Sequence, residues 1–464
     1  MKADSFLEHI IVNQFCSGCG SCAAVEESDF RMTLTGDGRY EPELKSLISY
    51  SDRDYTKICP FASIVDEDEI ASDLYSGVQG VEHNPFEGFV LRRYAGHAND
   101  TFRAQGSSGG LTSWLLSKLL QENIVDSIVH VRSNTGAGKP LYNYAISSDV
   151  KELAEGSGSK YYPIQMADIL QKVRDDGKVC AIVGIPCFIK AINLLQREDE
   201  ELKRLIKVKV GLVCGHLKSE FFARSYAMEL GINYDDITLI NFREKLPGRL
   251  ANNYGVKLKY ETEQGTEEIV VPTKDLSTSN WGLGYFKYKA CEYCDDVLAE
   301  TADVTFGDAW LERYSKDYLG TNIIVIRNPI IQQIFDKYSD ETVLEPISAV
   351  DVYQSQAGGF RHRREGLAYR LFLQKDTENY LPKKRVEPSD KLSGRRKRIY
   401  NYREILRVKS FQSFEAALAV GDFNVFNEQM DEYLKEYSKL NQRNIIFRIL
   451  RKIFRRTKKL FATK

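Results

Sequence analysis

Eight of the nine cysteines in this sequence stand at positions where their thiolates could share a metal. The first group has three cysteines, with two residues between each and the next, and a fourth directly before a distant proline: Cys16, Cys19, Cys22 and Cys59. Small Ser and Gly spacers let the backbone turn tightly, so the triplet can surround one corner of an iron-sulfur cluster while the fourth thiolate arrives from elsewhere. This spacing indicates one 4Fe-4S cluster.

The same four cysteines allow two other interpretations. Four cysteines could hold a structural zinc, although zinc sites usually combine two C-x2-C pairs rather than a triplet and a Cys-Pro. A disulfide is the weaker alternative. The triplet with a remote Cys-Pro looks like the cluster motif of bacterial ferredoxins, but the 36 residues between Cys22 and Cys59 depart from their compact two-cluster pattern.

The other candidate ligands lie in the middle of the chain. Cys187 and Cys214 each follow an apolar segment that is typical of a strand. If these strands are parallel neighbours, both thiols lie at the carboxyl edge of one sheet, where open α/β folds bind their ligands. Cys291 and Cys294 complete a second set of four, although as an isolated pair they could also bind zinc or form a redox dithiol. Cys180 lies inside an apolar strand and is predicted to be a small buried hydrophobe.

Composition places these cysteines in an ordinary globular protein of two or three domains. The chain has 464 residues, of which 43% are hydrophobic and 28% charged, and its formal net charge of -1 argues against nucleic-acid binding. Residues 1–15 lack the features of a signal peptide, and no apolar stretch reaches the ~18 residues that span a bilayer. We therefore expect a cytoplasmic protein.

The hydrophobic pattern predicts an α/β sheet with crossover helices, followed by a strand-rich region and a helical tail. Strands are predicted at 127–131, 178–184, 206–213, 303–307 and 322–326, a hairpin at 254–271 across Gln264-Gly265, and helices at 164–173, 188–195 and 219–230. The last segment, residues 444–464, is a basic amphipathic pattern. It could lie on an anionic membrane surface, bind an acidic partner or pack on the core.

One loop at a predicted helix start could bind an anion. The run Gly106-Ser107-Ser108-Gly109-Gly110 precedes Leu111, where a helical pattern begins. Free backbone N–H groups and the helix dipole favour a phosphate there, and glycines would allow its close approach. A plain capping turn explains the same residues equally well.

Taken together, seven motifs in consistent order between Cys16 and Asn328 resemble the coenzyme F420 hydrogenase/dehydrogenase beta-subunit family. Beyond the first cysteine group, they are Gly106-Ser107-Ser108-Gly109-Gly110, Gly158-Ser159-Lys160-Tyr161, Gly184-Ile185-Pro186-Cys187, Gly211-Leu212-Val213-Cys214, Asn241-Phe242-Arg243-Glu244-Lys245, Cys291-x2-Cys294 and Gly307-Asp308-Ala309-Trp310. The family consists of iron-sulfur flavoproteins and includes ferredoxin-dependent reductases of chlorophyll intermediates. No motif beyond about residue 350 matches it.

The resemblance implies a ferredoxin-like 4Fe-4S domain at 1–65 and a mixed α/β flavin-binding domain at 89–350. The composition and pattern of the remaining segments predict a linker at 66–88 and a helical region at 351–464. It also implies a second 4Fe-4S cluster on Cys187, Cys214, Cys291 and Cys294. FAD is expected at the two glycine-containing loops and at nearby cationic and aromatic residues: Gly106, Ser107, Ser108, Gly109, Gly110, Ser159, Lys160, Tyr161, Arg243 and Lys245.

These cofactors imply an oxidoreductase, because a flavin converts two-electron hydride chemistry into the one-electron steps of clusters. We expect electrons to move, in either direction, between a ferredoxin-type donor, the clusters, FAD and an organic substrate. The sequence also resembles reading frames found among surface-polysaccharide genes, and that resemblance implies a sugar or lipid-linked intermediate as a candidate substrate. The alternatives are a metal-stabilised adaptor without activity and an electron-relay subunit of a larger complex.

Overall fold

Eight strands form one mixed sheet, which confirms the predicted mixed α/β fold class. The computed structural model describes residues 1–46, 51–134, 140–377 and 379–440. Its strands are β1 (Phe30–Leu34), β2 (Tyr40–Leu44), β3 (Glu82–Asn84), β4 (Gly88–Val90), β5 (Arg92–Ala98), β6 (Ser127–Ser133), β7 (Tyr142–Ser147), β8 (Cys180–Gly184), β9 (Ile206–Leu212), β10 (Ile237–Glu244), β11 (Gly255–Thr262), β12 (Gly265–Pro272), β13 (Val304–Asp308), β14 (Asn322–Ile326) and β15 (Thr342–Pro346).

The order of strands in the large sheet is β15-β5-β14-β13-β9-β8-β6-β7. Its middle, from β6 through β8 and β9 to β13, is parallel, and the outer strands pair antiparallel. Gly184 at the end of β8 lies opposite Gly211 near the end of β9. The strands before Cys187 and Cys214 are therefore parallel neighbours that end at one edge, which meets the condition under which both thiols lie at that edge. Short apolar runs such as β8 suit this position, because a central parallel strand is covered on both faces.

Helices cover both faces of the sheet. The α-helices are Ala3–Phe6, Glu67–Tyr75, Asp100–Gln105, Leu111–Gln121, Val150–Glu155, Ala167–Asp176, Pro186–Glu198, Glu200–Leu205, Phe221–Glu229, Glu312–Ser315, Pro329–Lys337, Ala349–Ser355, Ala357–Arg361, Leu367–Gln374 and Gly394–Val420. On one face Trp114 packs against Phe335, with ring centroids 4.9 Å apart. On the other face Ile192 and Leu195 belong to a core that also contains residues near the N-terminus.

The N-terminal segment is part of that second core. Phe6, Phe30 and Tyr55 pack with ring centroids 4.9 to 5.4 Å apart, beside the β1–β2 hairpin. The linker predicted at 66–88 contains the helix Glu67–Tyr75, whose Tyr75 is buried. This helix is amphipathic, so it buries one face although the segment is acidic overall.

The described chain divides into two compact units. The first comprises Met1–Ser279 with Lys287–Ser389, and it contains all nine cysteines. The second comprises Asn280–Phe286 with the described part of Asp390–Lys464.

The second unit is helical, as predicted for the C-terminal region. Its helix Gly394–Val420 ends before Gly421, which has a φ of +78°. Phe286 packs against Phe414 with a ring-centroid distance of 5.3 Å. None of the described helices is long and apolar enough to cross a membrane. The basic amphipathic segment predicted at 444–464 lies outside the described residues.

Acid should destabilise the sheet through one buried histidine on β6. His130 is buried beside Ser147, and burial, with help from Arg132 and Lys160, lowers its pKa to about 4. Below its ordinary pKa near 6.5 the unfolded chain takes up a proton that the folded chain does not, so stability is complete above pH 6.5 and falls as pH decreases toward 4. We expect a loss of about 2 kcal/mol between pH 7 and pH 5.

Urea denaturation of His130→Gln at both pH values measures this effect. The variant should lose less stability between pH 7 and pH 5 than the unmodified protein does. His83→Gln is the matched control, because His83 is exposed. Equal pH dependence in all three proteins would contradict the prediction.

Candidate functional site

The first cysteine group forms a tight loop before β1. Gly18 and Gly20 have φ values of +70° and +86°, and a Cβ on Gly20 would lie 2.9 Å from the backbone nitrogen of Ala167. Both glycines are therefore needed for the turn and for its close contact with the neighbouring helix. The backbone N–H of Gly18 donates to Cys16 Sγ at 3.2 Å, and Ser21 Oγ lies 3.4 Å from Cys19 Sγ. Such hydrogen bonds to sulfur tune the potential of a bound cluster.

The four thiols of this group influence one another. Burial raises the pKa of Cys22 well above its usual range, and Cys16, Cys19 and Cys59 raise it further. Burial likewise raises the pKa of Cys59 to about 12, with Cys19 as the next contributor. The fold thus brings the four predicted ligands together. It also makes their joint deprotonation costly unless a cationic metal group is bound.

Three separate parts of the fold supply the second cysteine set. Cys187 lies in the first turn of the helix Pro186–Glu198, and Cys214 follows β9. Cys291 and Cys294 lie on the irregular segment between β12 and β13. These four residues line one pocket, which is partly open to solvent and is also bordered by Ser17, Phe61, Pro186, Leu217 and Arg363.

Burial and mutual repulsion also affect the second set. The pKa of Cys187 is raised well above its usual range by burial and by Cys294, Cys214 and Cys291. Burial raises the pKa of Cys214 to about 12 and that of Cys291 to about 11. The backbone N–H of Leu217 donates to Cys291 Sγ at 3.2 Å.

The two cysteine sets are neighbours. Ser17 belongs to the first loop and lines the pocket of the second set. Its Oγ is buried and has no hydrogen-bond partner in the described part of the chain. Cys19 also contributes to the raised pKa of Cys187. Across residues 1–46, 51–134, 140–377 and 379–440, no three His, Cys, Asp or Glu side chains are arranged to hold a single metal ion.

Buried charges surround the second set. Glu292 forms ion pairs with Lys287 and with Arg370 at 3.3 Å, and His362 Nε2 lies 3.2 Å from its Oε2 as a neutral imidazole, because burial lowers the pKa of His362 to about 3. Further along the chain, Arg385 Nη1 donates to Glu300 Oε2 at 2.7 Å. His362, Arg370 and Arg385 were not predicted from sequence, because contacts between residues far apart in the chain leave no local pattern.

The loop that was predicted to bind a phosphate lies at a helix N-terminus. Its glycines pack closely against backbone atoms of the chain. A Cβ on Gly109 would lie 2.7 Å from Gly96 O and 2.9 Å from Asn322 N, both on strands of the sheet. Gly110 has a φ of +77° and is the residue before the Leu111–Gln121 helix. A Cβ on Gly110 would lie 2.4 Å from Phe102 O. Close packing of backbone therefore explains these glycines without a ligand.

Replacing Gly109 with valine should accordingly destabilise the whole protein instead of affecting flavin binding alone. Overpacking against backbone costs about 1–3 kcal/mol. The melting temperature and soluble yield of Gly109→Val should fall, and those of Gly36→Val should not, since a Cβ on Gly36 meets nothing within 4 Å. A Gly109→Val protein with wild-type stability would contradict this expectation.

The second predicted flavin loop meets the first one. The backbone N–H of Ser159 donates to Ser107 Oγ at 2.7 Å. Lys160 donates to three carbonyls of its own loop, including Gly158 O at 3.0 Å, and burial lowers its pKa to about 8. The Tyr161 ring lies 5.6 Å from that of Phe242. Lys160 thus stabilises the loop by donating hydrogen bonds to its backbone carbonyls.

Arg243 and Lys245 lie close to these loops. Lys245 Nζ donates to Ser108 O at 2.9 Å and to Arg103 O, and burial followed by two neighbouring arginines lowers its pKa to about 8. Arg243 donates to Asp308 Oδ2 at 2.6 Å and stacks on Tyr254 at 4.7 Å. Its Nε is buried and has no hydrogen-bond partner among the described residues. Eight of the ten predicted flavin residues therefore lie on the two loops that contact each other, while Arg243 lies on β10 and Lys245 directly follows it.

Family models match most of the first unit. The model of the N-terminal part of the coenzyme F420 hydrogenase/dehydrogenase beta subunit matches residues 93–171, and the model of its C terminus matches residues 177–351. Together they cover more than half of the chain. The first cysteine group and the region after residue 351 lie outside both matches.

Similar proteins include two from Methanocaldococcus jannaschii, both uncharacterized. MJ0725 is 26% identical over 260 residues, which cover 55% of this chain and 87% of that protein. MJ1349 is 22% identical over 336 residues, which cover 68% of this chain and 83% of that protein. A chain of the F420-reducing NiFe hydrogenase complex from Methanosarcina barkeri is 15% identical, with a TM-score of 0.48 over 65% of this chain and 98% of that chain.

Proposed function

This chain belongs to the coenzyme F420 hydrogenase/dehydrogenase beta-subunit family, and from that membership we propose that it is an iron-sulfur flavoprotein oxidoreductase. One observation carries the proposal: three separate segments bring four cysteines to one pocket, next to a second set of four. Two adjacent sets of thiols suit electron transfer better than a purely structural role.

The residues present fit two 4Fe-4S clusters. Cys16, Cys19, Cys22 and Cys59 would hold one cluster, and Cys187, Cys214, Cys291 and Cys294 the other. Backbone N–H groups of Gly18 and Leu217 already point to sulfur in each set, which is the usual second layer of contacts around such clusters. Metal binding would offset the cost of deprotonating these thiols, because the metal takes the place of the protons.

The proposed flavin site rests on the junction of two loops. Ser107 and Ser159 join them, the N-terminus of Leu111–Gln121 favours an anion, and Arg243 carries a buried N–H that has no partner in the described chain. When bound, FAD would exchange two electrons with an organic molecule and single electrons with clusters. Lys160 and Lys245 would hold the loops in shape through their carbonyl contacts.

The partners we propose are a ferredoxin-type electron donor and an organic substrate, for which a sugar or lipid-linked intermediate of surface-polysaccharide synthesis is a candidate. Nucleic acid is not a proposed partner, given the net charge of -1. A cytoplasmic location with peripheral membrane contact through residues 444–464 rests on the sequence pattern alone.

Anaerobic mixing with reduced ferredoxin tests the function. The purified chain should lose its visible absorbance in both the cluster and flavin regions, and an added oxidant should restore it. Bleaching without turnover of any organic substrate would favour the relay-subunit alternative. A protein whose spectrum does not respond to any low-potential donor would contradict the proposal.

A further inference from the structure

We propose that Arg363 is a positioning residue of the second cysteine set, whose guanidinium offsets the negative charge of the bound cluster and raises its reduction potential. This inference rests on the proposed function, because it concerns the same pocket. Arg363 lies outside both family matches, which end at residue 351. No motif in the sequence singles it out.

Arg363 lies in the pocket wall and is almost wholly buried. It lines the pocket together with Cys187, Cys214, Cys291 and Cys294. Its exposed fraction is 1%. Nη2 donates to Gly215 O at 2.9 Å, which anchors the guanidinium beside Cys214. Nε and Nη1 are buried and have no hydrogen-bond partner in residues 1–46, 51–134, 140–377 and 379–440.

The charge of Arg363 lacks a carboxylate partner among the described residues. Neighbouring arginines form ion pairs with acids, as Arg364 does with Glu300 at 3.2 Å and Arg370 with Glu292 at 3.3 Å, but Arg363 forms none in this part of the chain. A buried guanidinium is costly unless an anion compensates it. Arg363 shares its pocket with Cys187, Cys214, Cys291 and Cys294, whose thiols become anionic when they bind a metal. The anion that fits this position is therefore the thiolate set itself.

A distortion of the helix places this arginine. Residues His362–Gly366 form a π-helical turn between Ala357–Arg361 and Leu367–Gln374. Such turns insert an extra residue and are frequent at functional sites. Arg370 stabilises this one, since it donates to His362 O at 2.9 Å and to Glu292 O at 2.7 Å. The same arginine thus ties the turn to the segment that carries Cys291 and Cys294.

Lysines near the pocket are poorer candidates for this role. Lys218 is buried, and burial with the neighbouring Lys287 lowers its pKa well below its usual range. Lys287 is engaged with Glu292. An arginine keeps its proton in such surroundings and presents several N–H donors to sulfur. Of these groups, Arg363 is the permanent positive charge that faces the thiols.

Redox titration followed by electron paramagnetic resonance tests the proposal on the anaerobically purified full chain. In Arg363→Gln, one cluster signal should shift to lower potential, because the more negative reduced state loses its counter-charge, while the other signal stays in place. Arg363→Lys should shift it less. Arg361→Gln is the matched control, because it removes an exposed charge from the same helical run, where solvent screens it.

Iron assays separate the possible outcomes. If Arg363→Gln loses about half of the iron and Arg363→Lys keeps it, the positive charge is required for cluster binding and the proposal stands. Equal potentials in Arg363→Gln and the unmodified protein, at full iron content, would overturn it. Equal iron loss in both Arg363 variants would also overturn it, since charge would then not matter. An unmodified protein without iron would instead refute the proposed function.

Discussion

Replacing Cys214 with alanine should remove about half of the iron, roughly four atoms per chain if both sites hold 4Fe-4S clusters. Cys214 lies at the edge where β8 and β9 end in parallel, and it lines the pocket that Cys187, Cys291 and Cys294 share. Three remaining thiols should not retain a full cluster. Electron delivery from reduced ferredoxin to the flavin should slow in the same variant, and iron and sulfide assays measure the loss directly.

Cys180 provides the matched control, because it is a cysteine on β8, only a few residues before the helix that carries Cys187. It is buried in the hydrophobic core, and burial raises the pKa of its thiol to about 12. Cys180→Ala should keep all the iron and lose about 1 kcal/mol or less of stability. Iron loss in Cys180→Ala together with full iron in Cys214→Ala would refute the assignment of ligands.

Replacing Arg385 with methionine should lower the free energy of unfolding by about 1.5–3 kcal/mol, because it removes charge-assisted hydrogen bonds from buried carboxylates and leaves only Arg364 beside Glu300 and Lys384 beside Asp295. The guanidinium bonds both carboxylate oxygens of Glu300, at 2.7 and 3.0 Å, and lies 3.5 Å from Asp295. The side chains of these two acids are 1% and 0% exposed. Lys384 and Arg385 together hold the pKa of Asp295 below its usual range against the effect of burial.

Arg197→Met is the control for charge and size. Arg197 pairs with Glu69 and Asp73, whose side chains are more than half exposed, so its loss should cost about 0–1 kcal/mol. Urea denaturation under anaerobic conditions compares the two variants. Asp295 directly follows Cys294, so Arg385→Met should also lose iron from the second set. Similar midpoints for Arg385→Met and Arg197→Met would contradict the importance of the buried ion pairs.

The sequence was sufficient to predict the sheet edge on which the second site depends. The apolar runs before Gly184 and Val213 predicted two strands of an α/β sheet with crossover helices, and these strands are the parallel neighbours β8 and β9. The hairpin across Gln264-Gly265 was also predicted, since β11 and β12 pair antiparallel on either side of it. These features are local or follow from general rules of chain connection.

Other features depend on contacts that no local pattern records. Glycines at 109 and 110 were predicted to admit a phosphate, but a Cβ there would meet β5, β14 and Phe102. Residues 66–88 were predicted to be a linker, and sequence alone did not show that Glu67 is buried with its Oε1 3.3 Å from Lys190 Nζ. Arg363 and Arg385 were not predicted, because the residues that they contact, such as Gly215 and Glu300, lie far from them in the sequence.

The cofactor content of the anaerobically purified chain tests the central claim most directly. An absorbance spectrum with assays of iron, sulfide, zinc and flavin should give about eight irons and eight sulfides per chain, as two 4Fe-4S clusters require, together with one flavin. The protein should be brown, and acid should release the iron. A colourless protein with zinc in place of iron, and without flavin, would contradict the account.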